Sequence, residues 1–181
     1  MEPVSLLPKL LVRKPVSADA AAIAILHIRS WQSAYEGMLS SRYLSALDSS
    51  VERRVGFLRQ AIESGNPSIR VAELNGQVVG WVSFGPSRDQ DAVDGTAELM
   101  AIYLAPTFWA HGIGTALWAE ALQAIRNNGY QRVCAWVLDG NERAKRFYLK
   151  HGFTAQAASQ RVFEENSGPL AITRFGLMLE P

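Results

Sequence analysis

The sequence lacks the features that mark secreted, membrane-spanning or metal-rich proteins. It has one cysteine, Cys134, which excludes an internal disulfide and a zinc site made of several cysteines, and we expect no bound metal. No run of about 18 apolar residues is present, so we expect no membrane-spanning helix. Residues 1–14 lack the apolar core of about 7–15 residues that a signal peptide needs. Together these absences predict a cytoplasmic protein.

An excess of charge of one sign is also missing. The chain has 18 Lys and Arg residues and 17 Asp and Glu residues, which leaves a formal net charge of +1. Such a balance gives no general attraction to nucleic acid or to an anionic membrane, and we expect neither as a partner. Hydrophobic residues make up 48% of the chain, which is typical of a folded protein. Because domains usually run to about 100–200 residues, the 181 residues predict one domain, residues 1–181.

The order of predicted elements points to an α/β or α+β fold with a mixed sheet. A short strand over Leu10–Arg13 precedes three helical segments, which end at the breaker Gly65-Asn66-Pro67. The strands Ser68–Leu74 and 77–84 flank Asn75-Gly76, a type I′ hairpin signal. A strand over Thr96–Leu104, a helix over 112–127, a strand over 131–138, a helix over 141–151 and a last strand over 170–179 follow. The segment after Phe153 is predicted as loop, with its polar part at 164–168, and a parallel crossover joins the strands 96–104 and 131–138.

The most informative stretch is the turn that leads from Leu104 into the helix that begins at Gly112-Ile113-Gly114. The free N–H groups of a first helical turn favour an anion, and a pyrophosphate would suit them. A dinucleotide-binding fingerprint requires a third glycine where Leu117 stands, and a phosphate-binding P-loop requires a Gly-Lys-Ser/Thr that is absent. A short Gly-x-Gly turn remains, and a tight strand-to-helix corner explains it equally well.

A second cluster opens the next helix. Asn141 is a good N-cap residue, and Ala144, Phe147 and Tyr148 share one helix face by their spacing. Asn141 and Tyr148 are separated by two helical turns. An amide and a phenol on one face are therefore placed to touch successive parts of an extended ligand.

The two clusters together resemble the GNAT superfamily of N-acetyltransferases. The resemblance is carried by Tyr103-Leu104-x-Pro106, by Gly112-x-Gly114, and by the segment that begins Asn141-x-x-Ala144 and ends Gly152-Phe153. It covers residues 10–178 approximately. It implies a single domain in which a mixed central sheet, flanked by helices, contains a splayed parallel strand pair. It also implies acetyl-CoA as co-substrate and transfer of the acetyl group to a primary amine of a small molecule or protein through a ternary complex.

The resemblance also implies roles for individual residues. Tyr148 corresponds to the phenol that protonates the leaving thiolate, and Glu98 to a strand carboxylate that acts as base, often through water. Trp31 and Tyr35 are candidates for the acceptor pocket. The backbone N–H of Leu104 or of its neighbour would stabilise the oxyanion. The predicted cofactor-binding residues are Ile102, Tyr103, Leu104, Ala110, His111, Gly112, Ile113, Gly114, Thr115, Asn141, Ala144, Phe147 and Tyr148.

One position departs from the family pattern. The turn usually begins with Gln or Arg three residues before the first glycine, and this chain has Trp109 there, with His111 at the usual basic position. The change removes a side-chain donor near the pyrophosphate. Backbone donors at residues 110–115 would then hold the phosphates, so we expect weaker cofactor binding.

Other functions stay open at this stage. A non-catalytic acyl-CoA-binding regulatory domain on the same scaffold is the main alternative, and a nucleotide-binding protein unrelated to coenzyme A is a third. Asp89, Asp91 and Asp94 form an acidic segment that would attract a cationic amine or simply lie in solvent. The basic residues of the helix 141–151, Arg143 among them, would meet the 3′-phosphate of coenzyme A or form a solvated face. The resemblance further implies a possible homodimer, with the last strand as the usual contact.

Overall fold

Seven strands form one sheet in the part of the chain that the computed structural model describes, residues 9–165 and 168–180. The strands are β1 (Leu10–Arg13), β2 (Ser68–Leu74), β3 (Gln77–Pro86), β4 (Thr96–Leu104), β5 (Arg132–Leu138), β6 (Thr154–Glu165) and β7 (Gly168–Met178). The helices are α1 (Ala20–Ala34), α2 (Ser41–Ala46), α3 (Val51–Ser64), α4 (Ile113–Asn127) and α5 (Glu142–Lys150). The strand order is β1-β2-β3-β4-β5-β7-β6. The predicted fold class, a mixed sheet flanked by helices, is confirmed.

The helices cover both faces of the sheet because the strand side chains alternate between two cores. Val82 and Phe84 of β3 pack with Leu117 of α4 on one face. Trp81, the residue directly before Val82, packs with Ile23 of α1 on the other. The period of two along the strand therefore builds both cores. Within the described residues no helix combines the length and the apolar character that crossing a membrane requires.

Local signals set several element boundaries. Asn75 and Gly76 both have positive φ, 51° and 79°, as the type I′ turn between β2 and β3 requires. The Ser40 hydroxyl accepts a hydrogen bond from the backbone N–H of Tyr43 at 3.2 Å and caps α2. Asn141 caps α5, since its Oδ1 accepts from the N–H of Ala144 at 3.1 Å.

The parallel pair β4–β5 separates after a short ladder. Three register pairs join the strands, Thr96 with Arg132, Ala97 with Val133 and Glu98 with Cys134. Both strands then continue, and no further pairing between them is present among the described residues. The register of β4 on β3 skips Met100, because Phe84 faces Leu99 and Ser83 faces Ala101. Such a bulge bends its strand, and this one lies where β4 leaves β5.

The prediction of a loop after Phe153 is wrong. Residues Thr154–Glu165 form β6, which pairs antiparallel with β7. Of the predicted loop 164–168, residues 166 and 167 lie outside the described residues, and the others belong to β6 and β7. The apolar pattern that signals a strand is missing because β6 is the edge strand and its residues 155–158 are exposed. The last strand lies inside the sheet, so a homodimer formed by strand addition at this end would use β6 instead.

Candidate active site

A cavity opens where β4 and β5 diverge. Its volume is about 160 Å³, below the roughly 300–1,000 Å³ of pockets that enclose a drug-sized ligand. A space of this size accepts a slender chain and leaves any bulky remainder of a ligand outside. Its lining contains nine of the residues that the sequence predicted for the site: Tyr35, Ile102, Tyr103, Leu104, Gly114, Asn141, Ala144, Phe147 and Tyr148.

The first turn of α4 presents backbone donors beside this cavity. Gly112 precedes the helix with φ 79°, a conformation that glycine adopts without strain. The first intrahelical bond runs from the N–H of Ala116 to the carbonyl of Gly112 at 3.1 Å. The N–H groups of Ile113, Gly114 and Thr115 precede that bond, so they have no carbonyl within the helix to donate to. This end of α4 therefore offers the anion-binding geometry that the glycine turn predicted.

Gly114 also has a packing reason to be glycine. A Cβ at this position would lie 3.3 Å from Cε2 of Phe147 and 3.6 Å from Cδ1 of Leu104. The absence of a side chain thus lets the start of α4 approach α5 and the end of β4. The tight-corner explanation and the phosphate-binding explanation are both compatible with this turn.

Tyr148 lies on the inner face of α5 and lines the cavity. Its ring packs edge-on against Phe147 and Phe153, with centroid distances of 5.5 and 5.1 Å, and only 6% of its surface is exposed. Burial, with a smaller contribution from Tyr35, raises the pKa of the Tyr148 phenol above its ordinary value of 10. The phenol is therefore protonated at neutral pH.

Two further phenols lie beside the cavity. Burial raises the pKa of Tyr35, while hydrogen bonds with the side chains of Tyr103 and Asn141 act in the opposite direction. Burial likewise raises the pKa of Tyr103. Trp31 packs against Tyr35 with ring centroids 4.9 Å apart, but it is not among the residues that line the cavity. Of the two predicted acceptor residues, the structure brings only Tyr35 to the cavity.

Glu98 lies at the paired end of β4, outside the cavity lining. The carboxylate is buried, with 3% of the residue exposed. Its Oε2 accepts from the backbone N–H and from Nε of Arg88, both at 3.1 Å, and its Oε1 accepts from Nη2 of the same residue. Arg88 was not predicted, and no local sequence signal identifies a partner ten residues away across a loop.

The acidic segment is held by arginines. The Asp89 side chain is 5% exposed, and it accepts hydrogen bonds from Trp136 of β5, Arg161 of β6 and Arg174 of β7, each at about 3.1 Å. Asp91 binds Arg174 through two hydrogen bonds, at 2.9 and 3.0 Å. Asp89 and Asp91 are therefore paired with cations of this chain. Sequence reasoning missed Trp136, which also lines the cavity.

The remaining predicted cofactor residues are adjacent in sequence to Trp109 and Gly114, which line the cavity, but they are not part of its lining, and Ile113 is buried in the core. Ala110 is exposed and has φ 64°. His111 is exposed, with Nδ1 2.8 Å from the carbonyl oxygen of Trp109. The Thr115 hydroxyl lies 3.3 Å from Nε2 of His151. The indole of Trp109 donates to the carbonyl of Leu104 at 3.2 Å, and the same carbonyl accepts from Ser30 of α1.

Comparison with known proteins agrees with this geometry. Residues 28–153 match the family model described as the acetyltransferase (GNAT) family. The uncharacterized N-acetyltransferase YuaI of Bacillus subtilis (strain 168) is 31% identical over 132 residues, which cover 72% of each chain.

Two solved structures have the same fold. The PaiA N-acetyltransferase from Thermoplasma acidophilum, in complex with coenzyme A, matches with a TM-score of 0.73 at 19% identity, over 94% of this chain and 99% of that one. The structure of yncA from Salmonella typhimurium, with its cofactor acetyl-CoA, has a TM-score of 0.70 at 23% identity over 94% of each chain. The chain belongs to the GNAT family of acetyltransferases.

Proposed function

We propose that the protein moves an acetyl group from acetyl-CoA to a primary amine, by direct attack of the amine on the thioester in a ternary complex. The observation that carries the proposal is the narrow cavity between the diverging ends of β4 and β5, with a protonated phenol on its wall. The coenzyme A and acetyl-CoA of the two similar structures support the choice of cofactor.

The cofactor would lie with its thioester in the cavity and its phosphates outside. The pantetheine arm would extend along β4, where the backbone at Ile102 and Leu104 has no β5 partner within the described residues. Asn141, Ala144 and Phe147 would form the opposite wall, with Tyr103 on the β4 side. The pyrophosphate would accept hydrogen bonds from the backbone N–H groups of Ala110, His111, Gly112, Ile113, Gly114 and Thr115.

Tyr148 is the proposed acid for the leaving group. The amine nitrogen forms a bond to the carbonyl carbon, the oxyanion collapses, the carbon–sulfur bond breaks, and the thiolate takes the phenolic proton. The attacking nitrogen then gives up its extra proton, which returns to the phenolate, so that a neutral amide, a thiol and a protonated Tyr148 result. The raised pKa of Tyr148 keeps that proton in place until then. The same apolar surroundings raise the basicity of the thiolate, since burial disfavours every anion. A backbone N–H at Leu104 or its neighbour is the proposed donor to the oxyanion.

Glu98 is the proposed base, and it would act through water. The amine must lose a proton before attack, because an alkyl ammonium has a pKa of about 10 and no lone pair. The Glu98 carboxylate is outside the cavity lining and is bound by Arg88, so a water molecule has to carry the proton between them. The Arg88 side chain is 68% exposed, so a water molecule can approach the ion pair from the side of Arg88.

The acceptor is proposed to enter beside Tyr35, and Trp31 would support that ring from behind. Neutral phenols and apolar groups suit an amine that reacts in its uncharged form. The acceptor could be a small molecule or a protein, and the experiment below separates these classes.

The test combines binding with turnover. We expect isothermal titration calorimetry to show micromolar binding of acetyl-CoA, and weaker or no binding of ATP and NAD. Thiol release should then be followed with a panel of small primary amines, amino acids and peptides with free N-termini or lysines. Tyr148→Phe should lower kcat by about 100-fold or more, as loss of a general acid does, and leave the Kd for acetyl-CoA within twofold.

Two results would contradict the proposal in different ways. Absence of acetyl-CoA binding would remove the cofactor assignment itself. Tight binding without turnover on any amine, together with an unchanged Kd in Tyr148→Phe, would favour the non-catalytic regulatory domain. Unchanged single-turnover rates in Tyr148→Phe would leave the transferase in place and remove only the role of the phenol.

A further inference from the structure

Trp109 and Arg143 meet across the mouth of the cavity. The guanidinium carbon Cζ of Arg143 lies 3.4 Å from the centroid of the Trp109 ring. Trp109 belongs to the turn after β4, and Arg143 is the second residue of α5. Both residues line the cavity. The pair thus connects the two elements that border the gap between the diverging strands.

We propose that Arg143, held against the Trp109 ring, is the cation that contacts the pyrophosphate of the cofactor. The assignment rests on the proposed function, and it reverses one expectation from the sequence. Trp109 stands where a Gln or Arg donor was expected, and the sequence alone predicted that a donor was lost. In the folded chain the donor comes from α5 instead, and the tryptophan supplies the surface that holds it.

The geometry of the stack leaves the hydrogen-bond donors of Arg143 available. A guanidinium that lies over an aromatic ring uses its flat face for that contact, while its N–H groups point outward in its own plane. Among the described residues, Arg143 forms no ion pair; it stacks on the Trp109 ring, and the like charge of Arg146 lies nearby. Lys145, two residues later, is instead bonded to Glu142 at 3.0 Å. Arg143 is therefore a basic side chain of α5 that is both ordered by a partner and free to bind an anion.

The ring is itself fixed in place. The indole N–H donates to the carbonyl of Leu104, the last residue of β4, at 3.2 Å. Gly114, in the first turn of α4, lines the same cavity as Arg143 and Trp109. The free backbone donors of α4 and the guanidinium of Arg143 thus lie on two sides of one opening. An anion with several oxygens, such as a pyrophosphate, can bind both at once.

The test compares acetyl-CoA with one ligand that lacks only the 3′-phosphate and with another that lacks the pyrophosphate together with the adenosine. Isothermal titration calorimetry on the full chain would measure the Kd of acetyl-CoA, of 3′-dephospho-acetyl-CoA and of S-acetylpantetheine, which carries no phosphate. We expect Arg143→Ala to raise the Kd of the first two ligands by about tenfold or more, as expected for one charge-assisted hydrogen bond. The Kd of S-acetylpantetheine should stay within twofold. Arg126→Ala is the control, because Arg126 is an exposed arginine in the last turn of α4, at the opposite end of that helix from the glycine turn, and it should change no Kd by more than twofold.

Variants at position 109 test the pairing itself. Trp109→Ala should weaken acetyl-CoA binding, and it should add little to Arg143→Ala, since both changes remove the same contact. Trp109→Arg in the Arg143→Ala background should restore most of the lost affinity, because it returns a guanidinium to a point a few ångströms away. Thermal melts of each variant separate lost binding from lost folding.

Each contrary outcome overturns a defined statement. If wild-type protein fails to bind acetyl-CoA, the proposed function fails and the assignment fails with it. If wild type binds and Arg143→Ala binds equally well, only the assignment fails. A loss with acetyl-CoA but not with its dephospho form would move Arg143 to the 3′-phosphate and overturn the pyrophosphate contact. An equal loss with S-acetylpantetheine would show that the pair shapes the cavity rather than binds phosphate.

Discussion

The two ends of the β4–β5 pair differ in the polar groups that they bury. At the paired end, Glu98 is bound by Arg88, and Asp89, on the adjoining connection, is bound by Arg161 and Arg174. At the diverging end, the strands have no ladder between them within the described residues, and the titratable groups that line the cavity are the neutral phenols Tyr35, Tyr103 and Tyr148, with Arg143 at its mouth.

This difference indicates that the paired end of β4 and β5 stabilises the fold, whereas the diverging end is available to bind a ligand. Buried carboxylates are costly unless they are paired, so the matched charges at the paired end hold the loop before β4 against β5, β6 and β7. Backbone donors without a strand partner, and phenols that keep their protons, are the groups a ligand can use. Substitutions at the paired end should therefore change stability, and substitutions at the diverging end should change binding or rate.

The largest effect is expected at Glu98, which is both a buried partner of Arg88 and the proposed base. If Glu98 is the base, Glu98→Gln should lower kcat at neutral pH by about 100-fold. The activity should recover in part toward pH 10, where the amine loses its proton to solvent without help. Measurement of kcat between pH 6 and about pH 10, at saturating acetyl-CoA, decides the matter. A pH profile identical to that of wild type, with a lower melting temperature, would make Glu98 purely structural and the separation of the two ends complete.

Asp89→Asn addresses the ion cluster, which holds the connection before β4 and also contacts Trp136 in the cavity wall. We expect the free energy of unfolding to fall by about 2 kcal/mol. Hydrogen bonds to a charged partner contribute about 1.5–3 kcal/mol, and the substitution replaces the charged acceptor of Arg161 and Arg174 with a neutral one. The Kd for acetyl-CoA should not change. Urea unfolding monitored by tryptophan fluorescence measures the first quantity. Asp94→Asn is the control, since Asp94 is an exposed acid of the same connection; an equal loss in both variants would mean that the ion cluster carries no special stability.

These comparisons also show what the sequence could predict. The turn at Asn75-Gly76, the cap at Asn141 and the glycine turn before α4 depend on residues close together in the chain, and local conformational preferences decide them. The divergence of β4 and β5 after Glu98 and Cys134 was predicted only from the family resemblance, because no local residue pattern indicates where paired strands separate.

The rest depends on contacts between distant residues. The edge strand β6 carries no apolar alternation because it has little to bury, so the sequence showed only a loop. Arg161 and Arg174 bind Asp89 from 72 and 85 residues away, and Arg143 reaches Trp109 across the cavity. Charge counts and spacing do not reveal such partners, which is why the loss of a donor at position 109 looked uncompensated.

A pH-dependent prediction concerns His27, which packs against Tyr103 at the diverging end of β4. His27 of α1 stacks on Tyr103 with centroids 4.7 Å apart, and its Nδ1 lies 3.4 Å from Nη1 of Arg54. Burial, assisted by the charge of Arg54, lowers the pKa of His27 to about 3. Below the ordinary histidine pKa of about 6.5 the unfolded chain binds a proton that the folded chain refuses, so stability falls as the pH falls.

The expected size follows from that difference. Between pH 7.5 and pH 5.5 His27 should cost the wild type about 1.4 kcal/mol of unfolding free energy. His27→Phe keeps an aromatic ring against Tyr103 and should remove this loss. Urea unfolding of both proteins at the two pH values makes the comparison. An equal pH dependence in the variant would show that His27 takes up its proton freely in the folded state, and that the diverging end is more open behind Tyr103 than its packing indicates.

The smallest effect tests the turn at the mouth of the cavity. Ala110 has φ 64°, a conformation in which a Cβ costs roughly 1–2 kcal/mol. Replacement by glycine removes that strain, but it also increases the conformational freedom of the unfolded chain, which offsets part of the gain. Ala110→Gly should therefore raise the free energy of unfolding by about 0.5–1 kcal/mol, or about 1–4 °C in Tm. Ala105→Gly, at φ −57° in the same turn, should have the opposite sign, because glycine gains nothing there. If Ala110→Gly also weakens acetyl-CoA binding, the strained backbone is part of the phosphate site, and stability and binding meet at the diverging end as well.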